Sequence, residues 1–338
     1  MIEASLSGHG LQKNRIFDLN STTNRDNCFE PYVRLKEHFA RHSITLNTQD
    51  MIEQKGIVFE LQQDIQPLSG ASKNYVMLFE TPFIKPKNGD SQLWSKYNKV
   101  FTWNDELVDG ERFIKLNFSN PLSVPIADGW QHRARFCCLI AGNKSVVVPD
   151  ERELYSERVR AIRWFEKNAP QAFDLYGIDW DLPPPRAGLW GKITKRLWRY
   201  VSLFFGLKPF TSYRGKVEHK RDVLLNTRYA ICYENVRDLS GYITEKIFDC
   251  FFAGCVPVYW GANNITDYIP ADCFIDRRQF KDTAEVYQYL MSLSEGDFIA
   301  YQQRIAHFLQ SEQARPFGSD FFAETIVNTI VEDLKKDA

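Results

Sequence analysis

The sequence predicts an α/β protein built from two parallel-sheet units. Short apolar runs alternate along the whole chain with stretches whose apolar residues fall at helical spacing. The 338 residues suit two domains at roughly 100–200 residues each. A polar stretch with Pro and Gly, NPLSVPIADGWQHR, interrupts the pattern from Asn120. The expected division is residues 1–130 and 131–338.

In the first domain, Lys13–Leu19 reads as a short strand. Pro31–His42 reads as a helix, with Tyr32, Leu35 and Phe39 on one face. Ile44–Leu46, Ile57–Leu61, Tyr75–Phe79 and Lys99–Trp103 are further strands. In the second, Phe136–Ala141 is a buried strand and Glu153–Asn168 a helix. Ala172–Tyr176 is a strand that Gly177 ends. Tyr229–Tyr233 and Val256–Trp260 are strands flanking the helix Ile243–Ala253. Ala284–Leu293 and Phe298–Leu309 follow as helices, and Phe321–Leu334 closes the chain.

Composition narrows the function. Lys and Arg total 42 against 43 Asp and Glu, which argues against a broad grip on nucleic acid. No run of about 18 apolar residues occurs, so no transmembrane helix is expected. The start, MIEASLSGHG, lacks the apolar core of a signal peptide, and most of the seven cysteines sit among apolar neighbours. The cytoplasm is the expected location. Leu189–Phe205 has an apolar face of Leu189, Trp190, Ile193, Leu197, Val201 and Phe204, with Lys192, Lys195, Arg196 and Arg199 opposite. It reads either as an interfacial membrane helix or as a helix packed on its own domain.

Chemistry concentrates in Tyr229–Phe280. A strand ends at Tyr233-Glu234-Asn235, and a loop leads to a helix with Glu245 and Lys246 in its first turn. Helix N-termini hold anions, and Lys246 adds a full charge there. Glu245 could accept bonds from ribose hydroxyls; Gly261 permits close backbone approach. Each residue taken singly is equally at home in a capped helix.

The string YENVRDLSGYITEKIFDCFFAGCVPVYWG, followed by IPADCFID, resembles the donor-binding region of glycosyltransferase family 10, the α1,3-fucosyltransferases. AGNKS, ELYSERVRAIRWFE, FDLYG and YRGKVEHKRDVL extend the likeness. It implies two Rossmann-like domains in the GT-B arrangement, with a cleft between them and the donor GDP-fucose held by the C-terminal one. The family's Tyr-x-x-Glu-Lys motif falls on Tyr242, Glu245 and Lys246, and its Glu-Asn asparagine on Asn235. A phosphate-contacting Arg falls on Arg158, with Arg152, Arg160 and Arg163 nearby. The general base falls on Glu80, just after a strand; Glu60, Asp105 and Glu106 compete with it.

The resemblance implies inverting transfer of L-fucose from GDP-β-L-fucose to a hydroxyl of an acceptor glycan, α1,3 to a GlcNAc- or Glc-type residue. Another GDP-6-deoxyhexose donor, or a non-catalytic binding protein on the same fold, are the alternatives. Protein cations would stabilise the leaving diphosphate, so no cofactor or metal site is expected to be required, though stimulation by Mn²⁺ or Mg²⁺ stays open. The Asp179-Trp180-Asp181 triplet reads as a loop. The expected setting is bacterial surface polysaccharide or lipopolysaccharide (O-antigen) synthesis. A lipid-linked acceptor would be met at the inner membrane face if Leu189–Phe205 lies on it.

Overall fold

Every expected strand but one lies in one of two six-stranded sheets. The computed structural model describes residues 2–52, 56–185, 196–198, 200, 204 and 207–336. The segment Leu189–Phe205 lies largely outside the described residues, and so does its expected helix.

The first sheet contains β1 (Ile2–Gly8), β2 (Ile44–Thr48), β3 (Ile57–Gln63), β4 (Lys73–Leu78), β5 (Lys99–Thr102) and β6 (Phe113–Lys115). Their order is β2-β1-β3-β4-β5-β6, and all pairs are parallel. The expected strand Lys13–Leu19 is not one. Lys13 and Asn14 have positive φ and Arg15–Phe17 forms a 3-10 turn. Asn14 bonds Asn47 and Thr48 across that turn. The first strand is instead β1, whose apolar signal is diluted by Ser5 and Ser7, both buried. Ser7 donates to Glu60 Oε1 at 2.7 Å.

The second sheet contains β7 (Arg135–Ile140), β8 (Phe173–Tyr176), β9 (Tyr213–Gly215), β10 (Thr227–Tyr233), β11 (Val256–Trp260) and β12 (Ile275–Asp276). Their order is β12-β11-β10-β7-β8-β9, again all parallel. Parallel strands buried on both faces read as continuous apolar runs, which is why RFCCLI, TRYAICY and VPVYW were legible. The helices are α1 (Glu30–Arg41), α2 (Ser91–Trp94), α3 (Tyr155–Asn168), α4 (Lys220–Leu225), α5 (Glu245–Phe252), α6 (Thr283–Ser292), α7 (Glu295–Leu309) and α8 (Ser319–Lys335).

The chain divides by contacts into two units, and not at residue 130/131. The first is Met1–Leu122, Leu239–Glu245 and Ser311–Ala338; the second is Ser123–Asp238 and Lys246–Gln310. The closing helix α8, expected in the second domain, belongs to the first unit. Its buried face, with Phe322, Ala323, Ile326, Val327 and Ile330, joins the core formed by Leu35, Phe39, Phe59 and Tyr75. Asp333 on α8 accepts from Tyr75 Oη at 2.8 Å and pairs with Lys73 at 3.1 Å.

Arg133 organises the second unit. It is 3% exposed, and its guanidinium donates to the carbonyls of Gly129, Leu224, Thr227 and Ala253 and to Asp128. Gln302, fully buried on α7, shares Asp128 and bonds Gly129 and Gly254. Arg133→Met should lower unfolding stability by about 3–5 kcal/mol in a denaturant melt, since four buried carbonyls lose their donor. A loss under 1 kcal/mol, of the order of an exposed ion pair, would deny it that role.

Six cysteines are buried and Cys28 is exposed. Desolvation raises the thiols of Cys137 and Cys138, and pushes Cys273 up to about 12. A native thiol-reagent titration should therefore give one fast equivalent, and denaturant should release the rest.

Candidate functional site

The second unit brings three of the expected donor residues together. Arg158, on the first helical turns of α3, is 3% exposed, and its Nη2 donates to the Tyr233 carbonyl at 2.7 Å and to Asn235 Oδ1 at 3.1 Å. Its guanidinium lies over the Tyr155 ring. The Leu154 N–H donates to the Asn235 carbonyl, which ties the start of α3 to the end of β10. The neighbouring arginines point elsewhere: Arg152 pairs with Asp150, Arg160 with Glu157 and Arg163 with Glu166. Burial thus singles out Arg158.

Lys246 Nζ lies 3.2 Å from Glu234 Oε2, a carboxylate with no solvent exposure. A Cβ at Gly261 would overlap Glu234, so glycine there makes room for the pair. Lys246 and Arg158 line one recess of about 40 Å³ with Lys220 and Asp249, which are themselves paired at 2.7 Å. That volume admits a water, not a diphosphate. A larger cleft of about 560 Å³ opens beside Tyr155 and Ser156 at the start of α3.

Glu80 belongs to the first unit, directly beyond β4. Asp64, only 1% exposed beyond β3, accepts from the backbone N–H of Phe79 and Glu80 at 2.8 and 2.9 Å. It also accepts from Asn88 Nδ2 and pairs with Lys85 at 2.6 Å. Asn88 returns a bond to the Glu80 carbonyl. The backbone at Glu80 is therefore held from both sides. The competing carboxylates differ: Glu60 is fully buried and bonded by Ser7 and Ser69, Asp105 is paired with Lys115 at 2.5 Å, and Glu106 is exposed.

Tyr242 also belongs to the first unit, and it is buried, not open. Its ring packs 4.7 Å from Trp103 and 5.8 Å from Phe118. Gly241 has φ +81°, and a Cβ there would strike the Trp103 carbonyl. These contacts fix the segment that leads into α5, where Glu245 is the first helical residue. The unit division falls between Glu245 and Lys246, so the six expected residues are not gathered in one unit.

Sequence reasoning missed Asp64, Glu234, Lys220 and Asp249. Asp64 carried a readable signal, since like Glu80 it is a carboxylate directly after an apolar strand. Trp180 is buried and donates to the Ala141 carbonyl, so the Asp-Trp-Asp triplet is a turn around that ring. Among the described residues no group of three His, Cys, Asp or Glu could hold a metal ion, and no helix is long and apolar enough to cross a membrane.

Residues 194–309 match the family model of glycosyltransferase family 10 (fucosyltransferase), C-terminal part. An α-(1,3)-fucosyltransferase of Helicobacter pylori is 31% identical over 77 residues, 23% of this chain and 16% of the relative. An α-(1,4)-fucosyltransferase of Arabidopsis thaliana is 30% identical over 86 residues, 25% of this chain and 21% of the relative. The matched stretches thus span about a fifth or less of those relatives' length. A solved α1,3-fucosyltransferase with GDP-fucose aligns over 98% of this chain and 90% of its own, with TM-score 0.52 and 14% identity. Anabaena Alr3699/HepE with UDP and glucose aligns over 98% and 100%, with TM-score 0.55 and 9% identity. These two likenesses concern the fold, two parallel-sheet α/β domains as in GT-B glycosyltransferases. Residues 194–309 are thus similar to the C-terminal part of glycosyltransferase family 10, the fucosyltransferase family.

Proposed function

We propose that the protein transfers L-fucose from GDP-β-L-fucose to a hydroxyl of an acceptor glycan, with inversion at the anomeric carbon. The observation that carries this reading is that Arg158 and Lys246 come together at the carboxyl end of the second sheet, beside the start of α5. Two protein cations there suit a diphosphate, and α5 adds the positive end of its dipole. Asn235 and Glu245 supply polar contacts to the nucleotide, and buried Tyr242 fixes the approach to α5. As the bond from sugar to diphosphate breaks, Lys246 and Arg158 stabilise the growing negative charge without a required metal. Glu80 takes the proton of the attacking hydroxyl. The product is an α-linked fucose on a surface polysaccharide or lipopolysaccharide precursor made at the cytoplasmic side of the membrane.

A screen of GDP- and UDP-sugars with acceptor glycans, read by mass spectrometry, should show one deoxyhexose added from GDP-fucose. Activity with UDP-sugars alone would refute the donor. Glu80→Gln should cut turnover by about 100-fold or more while GDP titrations keep the wild-type affinity. Undiminished turnover would move the base to another carboxylate.

Lys246→Met should both weaken GDP binding about tenfold or more and lower the melting temperature, because it strands the buried Glu234. Adding Glu234→Gln should restore the melting temperature but not the affinity. Recovery of GDP affinity in the double variant would show that Lys246 acts only through the fold.

A further inference from the structure

Besides Arg158 and the Asp249-paired Lys220, four cations stand at the carboxyl edge of the second sheet among the described residues: Lys246, Arg237, Arg278 and Arg277. Three have a carboxylate. Lys246 pairs with Glu234 at 3.2 Å, Arg278 with Asp276 at 2.8 Å, and Arg237 with Asp238. Arg277 has none among the described residues, although it is buried while the other three are not.

The groups in contact with it are neutral. Nη1 donates to the Phe280 carbonyl at 2.6 Å, the Tyr233 hydroxyl is hydrogen-bonded to it, and the guanidinium stands 5.1 Å from the Trp260 ring centroid. Nε is buried with no partner. Carbonyl, hydroxyl and ring face orient a guanidinium but do not neutralise it, and a buried cation without a counter-charge is destabilising. Arg277 opens the turn after β12, while Tyr233 and Trp260 end β10 and β11. Three adjacent parallel strands therefore end around it, on the sheet edge where open α/β sheets take ligands.

We propose that Arg277 is a third anion-binding residue of the donor site beside Arg158 and Lys246, contacting the diphosphate of the nucleotide sugar. The inference rests on the donor reading above and extends it to a residue outside the Tyr-x-x-Glu-Lys motif. A planar fork with an unused Nε suits a phosphate oxygen pair. The bound diphosphate supplies the negative charge that the surrounding side chains lack.

Calorimetric titrations of the full chain with GDP, GMP and guanosine, for wild type, Arg277→Met and Arg277→Lys, test this. Arg277→Met should weaken GDP about tenfold or more and leave guanosine unchanged, and Arg277→Lys should recover part of the loss. Equal weakening of GDP and guanosine, or unchanged GDP affinity, would overturn the proposal and leave Arg277 as a packing residue under Trp260. A wild type that prefers UDP over GDP refutes the donor reading alone, since Arg277→Met should still weaken UDP. A wild type that binds no nucleoside diphosphate refutes both.

Discussion

A carboxylate shut off from solvent, Glu234, stands 3.2 Å from the Lys246 ammonium, and the carboxyl edge of the second sheet is arranged around that pair. Glu234 follows β10 directly and Lys246 is the second residue of α5, so the pair pins the helix's first turn to the strand. Everything next to it is fitted to the same demand. Gly261 gives up its side chain so that Glu234 can sit there. The Glu234 N–H is bonded to the Trp260 carbonyl, and Arg158 holds the Tyr233 carbonyl one residue before. A buried ion pair adds little net stability over apolar packing. Its retention is better understood as placing one ammonium at a helix start.

The first unit solves a similar problem with the opposite sign. Asp64 is buried beyond β3 and gathers two backbone N–H groups, an amide and an ammonium. It thereby holds the turn that carries Glu80. Glu80 and Lys246 are partly exposed, and the carboxylates that hold them, Asp64 and Glu234, are buried. Most polar groups under the sheet edges find partners, and Arg277 Nε is one of the few buried ones that do not.

Local likeness and whole-chain likeness have different extents for a physical reason. Identity with the curated fucosyltransferases is confined to 23–25% of the chain, whereas the fold aligns over 98%. Around α5 the buried Glu234 needs a cation at Lys246, and few substitutions supply it. Elsewhere a parallel sheet asks only for apolar residues of fitting volume, and many sequences satisfy it.

The sequence by itself determined the α/β class, most strands and the family-like motif around Lys246. Buried parallel strands are apolar end to end, and a binding motif is local in the chain, so both survive without coordinates. Tertiary structure alone decided what depends on distant residues meeting. Strand β1 was hidden because it buries two serines, one of them, Ser7, against Glu60, 53 residues away. The closing helix joined the first unit because its apolar face matches that core and Asp333 meets Tyr75 and Lys73. Arg158 was separated from its neighbours by burial against Tyr233 and Asn235, and Tyr242 was drawn inward by Trp103 and Phe118. Charge pairing across such distances is not written in any local pattern, because it is set by which surfaces the fold brings within a few ångströms.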